Sequence, residues 1–101
     1  MPANVAIVGV GLIGGSFALA LRKAGFEGKI IGVSSPQTIR KALALGVVDE
    51  GLPLAEAAAS ADLIYIAQPI LKILETLSEI DTWVQPGTLI TDAGSTKSAI
   101  V

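Results

Sequence analysis

The chain has 101 residues, with nine acidic and seven basic side chains and a net charge of −2. A hydrophobic fraction of 51% and a charged fraction of 16% exclude a disordered segment, and the lack of a basic cluster argues against nucleic acid as a partner. No apolar run reaches the roughly 18 residues of a membrane helix, and no signal peptide is predicted. Because cysteine and histidine are missing, we predict neither disulfides nor a metal site, and we expect a cytoplasmic protein.

Strands and helices alternate in the predicted secondary structure. The predicted order is a strand over 4–8, a helix over 12–24, a strand over 29–33, a helix over 36–45, a very short strand at 47–48, a helix over 53–60, a strand over 63–67, a helix from 69 to about 80, a strand over 88–91 and a helix from about 95. In the helix from 69, the predicted inner face carries Ile70, Ile73, Leu74, Leu77 and Ile80. This alternation predicts a parallel sheet with helices on both faces.

Gly9, Gly11 and Gly14 have the spacing G-x-G-x-x-G, directly after a predicted strand and at the start of a predicted helix. In this context the first glycine permits a tight turn, the second lets the main chain approach a pyrophosphate, and the third lets the helix pack closely on the strand. The free amides of the first helical turn and the helix dipole then favour an anion. The spacing therefore predicts a dinucleotide site in a doubly wound α/β domain of the Rossmann type.

The residues about 20 positions after the last glycine indicate which dinucleotide is bound, because an acidic residue there bonds the ribose hydroxyls of NAD. This chain has Ser34 and Ser35 at that point, and no carboxylate occurs over residues 28–48. Hydroxyls do not repel a 2′-phosphate, and Arg40 or Lys41 can supply positive charge. We therefore expect NADP rather than NAD.

Two later loops are predicted at the carboxyl ends of strands, where open α/β sheets bind their ligands. The loop 67–69 contains Ala67, Gln68 and Pro69 and should border the cofactor, whereas the loop 92–97 should lie near the nicotinamide. In the second loop, Gly94 allows close approach of the backbone and Ser95 can both donate and accept a hydrogen bond.

Each of these features also has a plainer interpretation. The glycine-rich turn could bind nothing, and Ser34 and Ser35 could only cap the next helix. Arg40 could be a solvated helix residue, and Asp92 and Ser95 could belong to an ordinary strand-to-helix loop with a helix cap.

Three segments of the chain resemble the prephenate and arogenate dehydrogenases: residues 8–16 around the glycines, residues 45–50 after the second helix, and residues 92–97. The last segment, Asp-Ala-Gly-Ser-Thr-Lys, is similar to that family's D-x-x-S-x-K signature. The resemblance covers essentially the whole chain in the right order, and it implies a nucleotide-binding domain of that family.

The resemblance implies an enzyme of tyrosine biosynthesis that transfers hydride from a cyclohexadienol to NAD(P)+ with loss of carbon dioxide. It identifies Ser95 with the family's active-site serine, which lies near the nicotinamide and the substrate hydroxyl. The residues and the resemblance together predict cofactor contacts at Gly9, Gly11, Leu12, Ile13, Gly14, Ser34, Ser35, Arg40, Ala67, Gln68, Pro69 and Gly94.

The resemblance also implies parts of the enzyme beyond residue 101. These are a catalytic histidine in a His-Pro motif and a helical domain that supplies substrate-binding arginines and a homodimer interface. We therefore expect residues 1–101 to be an N-terminal NAD(P)-binding domain that binds dinucleotide without turning over substrate, since oxidation of an alcohol needs a base to accept its proton.

Two other functions fit the same fold. One is a different reductase of the β-hydroxyacid or pyrroline-carboxylate type, and the other is a non-catalytic nucleotide-binding module. The segment 92–97 argues against the other reductase by resemblance alone, and the sequence does not separate prephenate from arogenate as substrate.

Overall fold

A computed structural model of the chain describes residues 4–92. The elements, in chain order, are β1 (Asn4–Val8), α1 (Leu12–Lys23), β2 (Lys29–Val33), α2 (Pro36–Ala44), β3 (Glu50–Gly51), α3 (Leu54–Ser60), β4 (Leu63–Ile66), α4 (Ile70–Ile80) and β5 (Leu89–Asp92).

The five strands form one parallel sheet in the order β3-β2-β1-β4-β5. Strand β1 lies at the centre, so the chain moves outward from it first through β2 and β3 and then, on the other side, through β4 and β5. Such a reversal leaves a crevice at the carboxyl ends of the central strands, which is where open α/β sheets bind ligands. The predicted doubly wound α/β fold is confirmed.

The central strand is buried on both faces, as its nearly continuous apolar sequence predicts. Val5 and Ile7 belong to a core cluster with α1 and α2, whereas Ala6 and Val8 belong to a second cluster with α3 and α4. Alternate side chains of one strand therefore serve the two helical layers, in keeping with the two-residue period of a strand.

Two predictions about these elements are wrong. The third strand is Glu50–Gly51 rather than 47–48. The chain pairs with β2 at these two residues, with Glu50 opposite Ile31 and Gly51 opposite Gly32. Val48 instead has 4% of its surface exposed and packs into the core beneath α2. Apolar residues that fill the connection before a strand look the same, in the sequence, as the strand itself.

Leu74 does not lie on the inner face of α4: it is 62% exposed, whereas Thr76 is 3% exposed. The buried stripe of this helix instead contains Ile73, Thr76 and Ile80. A helix of 3.6 residues per turn lets either i+3 or i+4 continue a stripe. From position 70 the buried stripe continues at i+3 with Ile73 rather than at i+4 with Leu74, and the next i+3 step brings Thr76 onto the buried face.

No helix within residues 4–92 is long and apolar enough to cross a lipid bilayer.

Asp49 joins the end of the α2–β3 connection to the edge of β2. Its amide donates to the carbonyl of Ile30 at 2.8 Å, and its carboxylate accepts from the amide of Ile30 at 2.7 Å and from the guanidinium of Arg22. Arg22 also donates to the carbonyls of Phe26 and Gly28, so one cluster of bonds fixes the turn from α1 into β2.

We expect Asp49→Ala to lower the free energy of unfolding by about 1–3 kcal/mol, because it leaves the part-buried amide of Ile30 without an acceptor. The neighbouring Glu50→Ala is the matched control. Glu50 makes a 3.4 Å ion pair with Lys29 in which both side chains are at least 40% exposed, so its loss should cost less than about 1 kcal/mol. Urea unfolding of both variants measures the difference, and equal stabilities would contradict this role for Asp49.

Candidate functional site

Three loops meet at the carboxyl edge of the sheet: β1–α1, β2–α2 and β4–α4. The amide of Gly9 donates to the carbonyl of Val33, the last residue of β2, at 2.7 Å. The amide of Ala67 donates to the carbonyl of Val8 at 2.8 Å. Main-chain bonds therefore hold the glycine turn between the two neighbouring loops that were also predicted to border a cofactor.

Gly9 can only be glycine in this arrangement. It has a φ of +89°, which side-chain-bearing residues rarely adopt. A Cβ at this position would lie 2.4 Å from the carbonyl oxygen of Ala67 and 3.1 Å from Cγ of Gln68. The turn after β1 is thus in direct contact with the loop after β4.

Gly14 has a different role, because it lets α1 pack directly on the turn. A Cβ at Gly14 would lie 2.4 Å from the carbonyl oxygen of Gly9 and 3.0 Å from Cγ2 of Ile7. The first turn of α1 therefore packs directly on the main chain of Gly9 and on the side chain of Ile7, and this is the close packing predicted for the third glycine.

Gly11 is the N-cap of α1 and faces open space, since a Cβ there would meet no atom within 4 Å. Its own amide donates to the carbonyl of Gly9 at 3.0 Å. In the described chain no side chain caps this helix and no acidic residue lies in its first turn. Helix geometry leaves the amides of Leu12, Ile13 and Gly14 without an intrahelical acceptor, so this end of α1 is suited to an anion.

The loop after β2 contains Ser34 and Ser35, and both are exposed. Ser35 is the N-cap of α2: its hydroxyl accepts from the amide of Thr38 at 3.4 Å and lies 2.9 Å from the Thr38 hydroxyl. The capping interpretation therefore holds for Ser35, and a ligand contact remains compatible with it because the hydroxyl is exposed.

A cleft of about 540 Å³ lies between α1 and α2 and is lined by Gly11, Gln37, Thr38 and Lys41, among others. Arg40, the cation favoured from the sequence, is exposed but lies outside the lining of this cleft. Sequence reasoning named both cations but selected Arg40 for the site, and it missed Thr38 altogether. The i, i+3 spacing of Thr38 and Lys41 after the Ser35 cap is the signal that puts them on one helical face.

The loop after β4 brings Gln68 to the glycine turn, and a buried residue holds it there. The hydroxyl of Thr76, on the inner face of α4, donates to Oε1 of Gln68 at 2.6 Å. Sequence reasoning also missed Thr76, because a threonine within an apolar helix resembles any surface position. Ala67 and Gln68 are half-buried, and Pro69 is the exposed N-cap of α4.

Gly94 and Ser95, predicted near the nicotinamide, lie outside the described residues.

Comparison with known proteins identifies the family to which this chain belongs. The model of the family "Prephenate dehydrogenase, nucleotide-binding domain" matches residues 17–101. The chain belongs to the prephenate dehydrogenase family. Because the match begins after the glycine turn, the geometry at Gly9, Gly11 and Gly14 is a separate observation that agrees with it.

Relatives in this family have been described as prephenate and arogenate dehydrogenases. The chain is 44% identical to the prephenate dehydrogenase of Lactococcus lactis over 97% of its own length and 28% of that protein's. Among solved structures, it matches the A. aeolicus prephenate dehydrogenase, in complex with hydroxyphenyl propionate and NAD+, with a TM-score of 0.84 and 39% identity over 88% of this chain and 32% of that one. It matches the Synechocystis arogenate dehydrogenase with a TM-score of 0.79 and 36% identity over the same shares.

Membership of the prephenate dehydrogenase family confirms the resemblance drawn from the glycine turn and the segment 92–97. It favours the dehydrogenase interpretation over another reductase or a non-catalytic module. The chain spans less than a third of the length of these relatives.

The contrast between Gly11 and Gly14 is testable by stability alone. Gly14→Ala gains about 1 kcal/mol of helix propensity, but its Cβ forces the turn at Gly9 to move, at about 1–3 kcal/mol. We expect a net loss of stability in urea unfolding. Gly11→Ala meets open space and should change the free energy of unfolding by less than about 1 kcal/mol. Equal losses for the two variants would contradict the packing described for Gly14.

Proposed function

We propose that this chain binds NADP+ as the dinucleotide-binding domain of an enzyme that oxidatively decarboxylates prephenate or arogenate. The observation that carries the proposal is the N-terminus of α1, which is uncapped by any described side chain and open at Gly11. It lies at the carboxyl edge of the sheet, between the loops after β2 and β4. The family match and the relatives supply the reaction.

The pyrophosphate is proposed to bind the turn formed by Gly9, Gly11, Leu12, Ile13 and Gly14. Main-chain amides and the positive end of the helix dipole supply the attraction, and Gly11 supplies the room. A side chain at Gly11 would occupy the space into which the phosphates must come.

The 2′-phosphate of NADP+ is proposed to lie beside Ser34 and Ser35, at the start of α2. No carboxylate occurs there to repel it, and the N-terminal end of α2 adds a favourable dipole. Lys41 lines the adjoining cleft and is the better-placed cation, while Arg40 on the outer surface can contribute at longer range. The A. aeolicus relative was crystallised with NAD+, so the preference rests on this chain's own residues.

The nicotinamide half is proposed to pass along Ala67, Gln68 and Pro69 toward Gly94 and Ser95. When bound, the nicotinamide supplies the hydride acceptor for the reaction. Ser95 is proposed to position the substrate hydroxyl, but a serine alone cannot readily accept its proton. The chain contains no histidine, so the base and the contacts to the rest of the substrate are proposed to come from other parts of the enzyme.

For the whole protein we propose a cytoplasmic homodimer that acts on a small cyclohexadienol. Residues 1–101 would form the dinucleotide-binding domain, and a helical domain would supply the dimer interface and the arginines that bind substrate.

Isothermal titration of the chain with NADP+ and NAD+ tests the choice of cofactor. We expect NADP+ to bind at least about ten-fold more tightly, which corresponds to about 1.4 kcal/mol from the contacts of the 2′-phosphate. Gly11→Ala should weaken binding of both dinucleotides. Tighter binding of NAD+ would contradict the NADP preference, and no binding of either would contradict the dinucleotide site.

Lys41→Ala and Arg40→Ala form a matched pair on the same helix for locating the 2′-phosphate. Lys41→Ala should reduce the preference for NADP+ over NAD+ more than Arg40→Ala does, because only Lys41 lines the cleft beside Gly11. A larger effect of Arg40→Ala would place the phosphate on the outer side of α2 instead.

Measuring the reduction of NADP+ by the full-length protein and by residues 1–101 distinguishes the role of this chain from that of the whole enzyme. We expect the full-length protein to reduce NADP+ with prephenate or arogenate, with release of carbon dioxide. Residues 1–101 alone should bind NADP+ without reducing it. Reduction of NADP+ by the 101-residue chain would show that the catalytic base lies within it.

A further inference from the structure

Gln68 lies directly beside the proposed phosphate turn. Its Cγ would be 3.1 Å from a Cβ placed on Gly9, so the side chain crosses over the first glycine. From there its carboxamide reaches the hydroxyl of Thr76 on the inner face of α4, at 2.6 Å. Thr76 itself is 3% exposed and is a polar side chain within the apolar layer between α4 and the sheet.

The length of this bond indicates which way the carboxamide faces. Hydrogen bonds between two oxygens are about 2.5–3.0 Å long, and those from an amide nitrogen to oxygen about 2.7–3.2 Å. A separation of 2.6 Å therefore favours the Thr76 hydroxyl donating to the oxygen of Gln68 over the flipped amide.

The nitrogen of the same carboxamide is left as an outward donor. Among residues 4–92, the Gln68 NH2 group has no hydrogen-bond partner, and it is not buried, since no buried side-chain nitrogen or oxygen there lacks a partner. The half-buried Gln68 thus has two N–H bonds without a partner among these residues, on a side chain whose Cγ lies beside Gly9 at the carboxyl edge of the sheet.

We propose that Thr76 is a positioning residue for the cofactor: it holds the oxygen of Gln68 so that the NH2 group donates to an oxygen of the bound dinucleotide. The location beside Gly9 points to an oxygen in the middle of the dinucleotide, on the phosphates or the adjoining ribose. Without the Thr76 hydroxyl, the carboxamide can flip and present its oxygen, which repels a phosphate oxygen. The inference rests on the proposed dinucleotide site and adds to it a buried residue that touches no ligand.

The test is a double-mutant cycle between Thr76 and Gln68, read by calorimetric titration with NADP+, or with NAD+ if that binds more tightly. Thr76→Val keeps the shape and removes the hydroxyl, and it should weaken binding roughly three- to ten-fold, the worth of one hydrogen bond. Thr76→Ser keeps the hydroxyl and should restore most of the affinity. In a Gln68→Ala background, Thr76→Val should have no further effect on affinity.

Thr88→Val is the matched control for stability. The Thr88 hydroxyl is also part-buried and donates to the carbonyl of Ala61 at 3.2 Å, but it lies just before β5, at the opposite edge of the sheet. This variant should lose stability without losing affinity. A purely structural role for Thr76 would give the same pattern at both threonines.

Several outcomes would overturn the inference. Wild-type affinity in Thr76→Val or in Gln68→Ala would do so, as would an equal loss from Thr76→Val with and without Gln68. If Thr76→Val does not fold, the same cycle run with Thr76→Ala, which also removes the hydroxyl, decides between the two roles. Failure of the wild-type chain to bind either dinucleotide would instead overturn the proposed function itself, and the inference with it.

Discussion

The site depends on main chain packed against main chain. The carbonyl of Gly9 lies against the Cα of Gly14, and the Cα of Gly9 lies against the carbonyl of Ala67, each so close that a Cβ would come within 2.4 Å of the oxygen. These two contacts set the start of α1 over the end of β1 and fix the loop after β4 beside it. Because no flexible side chain takes part, the turn is preorganised before any ligand arrives, and binding costs little conformational entropy.

The glycine spacing was enough to predict this arrangement, because Gly9 and Gly14 are each required by a local geometry that no other residue satisfies. The alternation of strands and helices was likewise enough to predict a parallel sheet with helices on both faces, since alternating elements favour that architecture. The bounds of individual elements were harder to predict, because one apolar pattern is compatible with more than one local structure. Val48 fits a strand and a buried connection equally well, and only pairing with β2 places the strand at Glu50–Gly51.

The residues missed from the sequence share one property: their importance comes from a neighbour distant in the chain. Thr38 matters because α2 lies beside Gly11, and Thr76 matters because its hydroxyl reaches Gln68. Composition and periodicity carry no information on such pairs. Asp49 is similar, since a carboxylate in a segment that resembles the family serves to bind the amide of Ile30 rather than a ligand.

The difference between Gly11 and Gly14 has a consequence for heritable variation in this protein. A side chain at Gly14 disturbs the packing of α1, so such a variant would be removed by cellular proteases and its abundance would fall. A side chain at Gly11 projects into solvent, so the altered protein would accumulate to ordinary levels while losing its ligand. Protein abundance in cells is therefore expected to fall for substitutions at Gly14 and to stay unchanged for substitutions at Gly11, although both impair the protein.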